Sequence, residues 1–347
     1  MKLFAAIDIG SCEVEMKIFQ ITSGKGIKEI DCVCHRMELG KDVYRDGRIG
    51  VEMTDELCRV LNDFVRIMKG YRVDDWRVCA TSAVREAGNQ LVFLDRVKRH
   101  TGLEVEVLSN ASQRFMDYKS IASRENEFNR IIQKGTAIVD VGGGSIQISL
   151  FDKDRLVASQ NMKIGNLRLR ERMMNEGVSL KHYETLLTEV VKNEFLSYKK
   201  LYLKDRVISN LIVVGDHIGD AVHKNVMTRA DFLNFYDDMI YRSDEDAAGR
   251  CEVPEDVISV LRPSLVVYRC FLEAADVENI WMPGLHLTDG MAYEYAQQNR
   301  LLKLGHDFDE DILAAARNAA KRYQCSKSHI KVCEDLAVGI FDKIKKS

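Results

Sequence analysis

Two aspartates in this chain each head a glycine turn at the end of an apolar strand, where a backbone can hold an anion and its counter-ion. The first stretch is Phe4-Ala5-Ala6-Ile7-Asp8-Ile9-Gly10-Ser11, and the second is Ala137-Ile138-Val139-Asp140-Val141-Gly142-Gly143-Gly144-Ser145. Glycine permits φ > 0 and lets successive N–H groups approach a ligand. A concave row of such amides binds phosphate oxygens. Asp8 and Asp140 are placed to hold Mg²⁺, directly or through its waters. Plain β-turns would also use Asp and Gly. Two such turns in the same context favour a duplicated phosphate clamp.

The elements around the turns can be read from periodicity. Val14, Met16 and Ile18 alternate with Glu13, Glu15 and Lys17, and Ile146, Ile148 and Leu150 alternate with Gln147 and Ser149. Period two means that a strand follows each turn, whereas a P-loop or dinucleotide turn would open a helix. A third strand is expected near Ile30–Val33. Thr54 reads as the N-cap of a helix carrying Leu57, Val60, Leu61, Phe64, Val65 and Met68. A strand at Arg77–Ala80 runs into Thr81-Ser82-Ala83-Val84-Arg85, and Ser109-Asn110 opens a helix to Ser123. The scheme restarts after 126–135, with a later strand at Leu211–Val214 entering Gly215-Asp216-His217-Ile218-Gly219. Residues 309–345 read as two amphipathic helices with Val332, Leu336, Ile340 and Ile344 in one stripe. The expected class is α/β in two related lobes, divided 1–125 and 126–300, with a helical tail at 301–347.

At 347 residues, with 46% apolar and 30% charged content, the chain has the composition of a globular protein able to bury a large core. A net charge of −3 supplies no basic footprint for nucleic acid. No apolar run approaches the ~20 residues of a membrane span. The nine cysteines include no C-x-x-C pair, which points to reduced thiols and a cytoplasmic location.

The sequence resembles the Ppx/GppA family, the exopolyphosphatases and guanosine pentaphosphate phosphohydrolases of the sugar-kinase/actin superfamily. The resemblance rests on Ala6–Ser11, Ala80–Asn89, Thr101–Ser109 and Val139–Ser145, and more weakly on Ile164–Leu169 and Leu287–Met291. It implies two actin-like (ribonuclease H-like) lobes with a cleft between them and a short C-terminal helical tail. In the cleft, Gly10, Ser11, Cys12, Gly142, Gly143, Gly144, Ser145 and Arg85 would grip a terminal phosphate, with Mg²⁺ at Asp8 and Asp140. Arg85 also fits the chemistry independently, because a guanidinium forks onto two phosphate oxygens.

The chain departs from the family where catalysis is concerned. Gln113 and Gln147 stand where the resemblance places glutamates that handle the attacking water, and Cys12 replaces an asparagine. A neutral amide does not accept a proton, and loss of a positioned base costs roughly 10²–10⁴ in rate. Glu13 is the first candidate substitute. Asp117, one helical turn beyond Gln113, and Asp216 and Asp289 at turns are others, each also readable as a solvated acid. Lys163, Arg168, Arg170 and Arg172 read either as a cationic track for polyphosphate or as a solvated helix face. His306-Asp307 reads as a chance dyad. The expected activity is phosphate release from polyphosphate or guanosine pentaphosphate. A non-hydrolysing sensor of polyphosphate or (p)ppGpp is the alternative, and a kinase is weaker. Nucleic acid and membrane are not expected partners, and a homodimer is left open.

Overall fold

A strand that is apolar on both faces has to lie inside a sheet covered on two sides. Strand β1 (Lys2–Ile9) is of this kind and occupies the middle of a five-stranded sheet. Its companions are β2 (Glu13–Thr22), β3 (Gly26–Arg36), β4 (Asp75–Ala80) and β5 (Val105–Val107), in the order β3-β2-β1-β4-β5. The computed structural model describes residues 1–175, 180–203, 206–215, 218–302, 306 and 308–344. A second sheet contains β6 (Thr136–Val141), β7 (Ile146–Asp152), β8 (Arg155–Met162), β9 (Asn210–Val214), β10 (Val226–Thr228) and β11 (Asn279–Trp281), ordered β10-β11-β9-β6-β7-β8. β1 and β6 hold equivalent places. Each pairs antiparallel with the strand after its glycine turn and parallel with a strand reached by a crossover, β4 or β9. The duplication expected from the sequence is therefore present in the topology.

Two local expectations are corrected. The helix assigned to Thr54 starts earlier, at Val51, and runs to Tyr71. Thr54 lies inside its first turn, buried, with its hydroxyl donating to the Gly50 carbonyl at 2.8 Å. The alternation in β2 also misleads, because Glu15 and Lys17 on its polar face are each only 5% exposed. The helix Leu287–Gln298 covers that face. Its Leu287, Met291, Ala292, Tyr295 and Ala296 share a core with Phe4, Ala6, Phe19 and Cys79, and Tyr295 stacks on Phe4 at 4.2 Å. Full burial of a side chain the size of Phe4 or Met291 contributes about 1.5–3 kcal/mol. Helix 287–298 is thereby held on the first sheet although its chain arrives from β11 of the second.

The tail helix Phe308–Arg322 docks on β8, where Asp311 accepts from the Leu156 N–H at 3.0 Å. His306 is held by Asp311 at 2.6 Å and stacks edge-on with Phe128 and Phe308. It is a packing residue; Asp307 lies outside the described residues. The helix Lys327–Ile344 buries none of its side chains, so the stripe of Val332, Leu336, Ile340 and Ile344 is exposed. Among the described residues no helix is long and apolar enough to cross a membrane.

Candidate functional site

The two glycine turns close in the same way. The Gly10 N–H donates to the Glu13 carbonyl at 2.9 Å, and the Gly142 N–H donates to the Ser145 carbonyl at 3.0 Å. Their carbonyls are occupied from behind. Ser11 and Cys12 accept from the N–H groups of Gly40 and Met37, while Gly142 and Gly143 accept from Asn166 and Arg168 at the start of the helix Asn166–Asn175. With the carbonyls engaged, turn N–H groups remain as donors for an anion. The turns also meet: a Cβ on Gly143 would lie 2.7 Å from Ser11 Cβ and 2.9 Å from Cys12 Sγ. Both face one cavity of about 110 Å³.

Most of the sequence candidates line that cavity: Asp8, Gly10, Ser11, Cys12, Glu13, Gln113, Asp140, Gly142, Gly143 and Ser145. Three lie behind the wall. Gly144 packs against Tyr44 and Ser82. Gln147 is 3% exposed, with its amide nitrogen 3.4 Å from Asp140. The Arg85 guanidinium donates to the Leu108 carbonyl at 2.6 Å and reaches Gln113 Oε1 at 3.4 Å. A hydroxyl cluster of the first lobe backs Gly144 of the second here, as Ser11 Oγ lies 2.8 Å from both Tyr44 and Ser82. Asp216 and His217 lie outside the described residues; the neighbouring Gly215 lines the cavity.

The cavity is crowded with carboxylates. Burial pushes Asp8 well above the ordinary value, and Glu15 and Glu13 push it further. Asp8 Oδ1 is buried without a hydrogen-bond partner. Asp117, weighed above as a solvated acid, is instead 5% exposed and lines the same cavity. Burial raises it well above the usual carboxylate range, aided by Asp140 and Asp8, and its Oδ2 has no partner. Burial also pushes the Cys12 thiol up to about 12, so it stays protonated at neutral pH. The cationic track is not free either. Arg170 forks onto Glu38 at 2.6 and 2.7 Å, Arg168 binds Glu86 at 2.9 Å over the Tyr44 ring, and Lys163 faces Glu86. Arg168 and Arg170 therefore pin the second lobe to residues 38–86 of the first.

The raised Asp117 has a measurable consequence. Its folded-state value exceeds the ordinary 3.8, so the folded protein holds a proton that the unfolded chain releases. Stability therefore falls as pH rises from about 4 through the raised value. Asp117→Asn should raise the melting temperature of the metal-free protein at pH 7 and flatten its dependence on pH between 4 and 8. A lower melting temperature with the same slope would contradict this.

Sequence reasoning passed over Glu15 and His286, which line the cavity. Glu15 Oε1 lies 2.7 Å from His286 Nδ1, and Thr288 donates to Glu15 Oε2 at 2.5 Å. Burial opposes ionisation of Glu15, yet the bond to His286 leaves its pKa below the ordinary value. The position of Glu15, two residues from Glu13 on one face of β2, was the available signal. His286 offered none.

The family model described as the Ppx/GppA phosphatase family matches residues 17–299. Exopolyphosphatase 2 of Mycobacterium tuberculosis is 27% identical over 180 residues, covering 49% of this chain and 54% of that protein. A guanosine-5'-triphosphate,3'-diphosphate pyrophosphatase of Photobacterium profundum is 20% identical, covering 98% of this chain and 67% of that protein. A bifunctional 3-dehydroquinate synthase/phosphatase of Fusobacterium nucleatum is also 27% identical, and the match spans only 26% of its length. Among solved structures, the Aquifex aeolicus Ppx/GppA member superposes with a TM-score of 0.69 at 22% identity, covering 86% of this chain and 98% of that one. A Cytophaga hutchinsonii exopolyphosphatase gives a TM-score of 0.75 at 17% identity, covering 87% and 100%. The two actin-like lobes are thus shared with known structures.

Proposed function

Because the chain belongs to the Ppx/GppA phosphatase family, we propose that its interlobe site takes the terminal phosphate of a phosphoanhydride chain, inorganic polyphosphate or guanosine pentaphosphate, and releases it as orthophosphate. The observation that carries this reading is the convergence of both glycine turns on one cavity. At about 110 Å³ the cavity holds the volume of a few waters at ~30 Å³ each. That suits one phosphoryl group, whereas whole small-molecule ligands occupy about 300–1,000 Å³. The remainder of the substrate would lie outside, which fits a chain shortened from its end.

Mg²⁺ fits the residues present. Asp8 carries an orphaned buried oxygen, and Asp140 raises the proton affinity of Asp8 while Asp140 and Asp8 raise that of Asp117, a repulsion that a cation relieves. Among the described residues no three His, Cys, Asp or Glu side chains form a cage. Mg²⁺ commonly uses one or two carboxylates, waters and substrate phosphate, so Asp8 and Asp140 are sufficient. When bound it would neutralise charge on the phosphate oxygens. Ser11, Ser145 and the turn amides would orient the phosphoryl group, and Arg85 would fix Gln113. All nine cysteines are unpaired, which suits a reducing cytoplasm.

A non-hydrolysing sensor is the second reading, favoured by one observation: the amides of Gln113 and Gln147 hold positions where neither can accept a proton. Calorimetric binding and orthophosphate release, measured with Mg²⁺ on tripolyphosphate, long polyphosphate, pppGpp, ppGpp and ATP, separate the readings. We expect micromolar binding of polyphosphate or pppGpp, and slow release. Binding without any release selects the sensor. Absence of binding removes both.

A further inference from the structure

Resting on the hydrolase reading, we propose that His286 is the general base of this site, with Glu15 as its positioning residue, in place of carboxylates at 113 and 147. The pair is assembled from distant parts of the chain. Glu15 stands on β2, one strand over from Asp8, its direct cross-strand neighbour. His286 arrives after β11 and Gly284, which holds φ +63°, and its N–H donates to Asp289 at 2.8 Å as helix 287–298 begins. Both side chains line the cavity that Gly10, Gly142 and Gly143 enclose.

The geometry assigns the roles. Glu15 is locked by His286 Nδ1 at 2.7 Å and Thr288 at 2.5 Å. An ionised carboxylate at Nδ1 selects the tautomer with its proton there, so Nε2 keeps a lone pair. His286 is 32% exposed, against 7% for Glu15, so the imidazole is the member open to water. The other acids are less suited. Asp8 is committed to the cation, Asp117 is only 5% exposed, and Glu13 accepts from the Cys34 thiol at 3.3 Å. Charges facing His286 come from Glu15 and Lys17 on β2, Asp289 on its own helix and Asp8 on β1. Their sum, led by Glu15, outweighs burial and raises the imidazole above its ordinary 6.5.

In the step, a water oxygen forms a bond to the terminal phosphorus while one of its protons passes to His286 Nε2. The bond from that phosphorus to the bridging oxygen breaks, and its electron pair leaves on the shortened chain. Orthophosphate departs, and the imidazolium returns its proton to solvent. A base works only when neutral, so kcat should climb with pH along a limb centred above about 6.5.

The test measures orthophosphate release from tripolyphosphate with Mg²⁺ between pH 5 and 9, beside calorimetric binding of the same ligand. His286→Gln should lower kcat about 100-fold, change KM less than threefold, and erase the ascending limb. Glu15→Gln should keep the limb but move it to lower pH, because the imidazolium loses its partner; a purely structural loss would not move it. His286→Asn serves if the glutamine variant does not fold. The proposal is overturned by a limb that persists in both His286 variants, by loss of the limb in Glu13→Gln instead, or by a wild-type protein that binds tripolyphosphate without releasing phosphate. Failure to bind tripolyphosphate, pppGpp or long polyphosphate overturns the hydrolase reading itself.

Discussion

Gly165→Ala should destabilise the protein by about 3 kcal/mol or more and abolish binding of phosphate ligands. A methyl at this position would overlap backbone atoms of Gly142, Gly143 and Ser145, and backbone cannot rotate aside as a side chain does. The clash falls on the turn that accepts from the 166–175 helix, so relief means moving either the helix or the turn. Restriction of the unfolded chain returns only ~0.4–1 kcal/mol. For a protein of this size, with ~2.1 cal/mol/K of unfolding entropy per residue, the melting temperature should fall by roughly 4 °C or more. Gly249→Ala is the matched control. It lies in the helix Asp244–Cys251 with nothing within 4 Å of its added Cβ, and it should be neutral or stabilising by about 0.5–1 kcal/mol. Thermal unfolding and calorimetric titration check both variants. Equal behaviour of the two would show that the helix and the turn are not in close contact.

The double variant Gln113→Glu/Gln147→Glu should increase phosphate release with Mg²⁺ on the order of 10²-fold, most of all at pH 5–6. There His286 is charged and idle, whereas a carboxylate still accepts a proton. The positions differ in cost. At 113 a carboxylate gains Arg85, whose guanidinium already reaches this side chain at 3.4 Å. At 147 it enters a site 3% exposed and 3.4 Å from Asp140, behind a cavity already overloaded with negative charge. The metal-free variant should therefore melt below the wild type, with the deficit traced to position 147, and Mg²⁺ should restore most of the difference. Release rates across pH, and melting with and without Mg²⁺, examine both statements. An unchanged rate would mean that position 113 does not face the attacking water.

Much of the site was legible because its parts are local. A turn closed by one N–H to a carbonyl three residues on is specified by Gly10 or Gly142 and the apolar strands beside it. The same short-range rules placed a helix entry at Ser109-Asn110, where the Ser109 hydroxyl accepts from the Ser112 N–H. Repetition of the turn then implied two lobes. The polar side of β2 was misread for a complementary reason. Alternation shows which residues share a face and is silent on what will cover that face.

The sequence by itself determined the paired turns, their strand–turn–strand setting, the family they belong to, and the amides at 113 and 147. Tertiary structure decided the ionic state of the cavity. It buried Asp117 beside Asp8 and Asp140, spent Arg168 and Arg170 on Glu86 and Glu38, and brought His286 to Glu15 across 271 positions. Backbone geometry is settled within a few residues by sterics and hydrogen bonds. Burial and charge pairing depend on whichever segment packs overhead, and no local pattern along the chain encodes that partner.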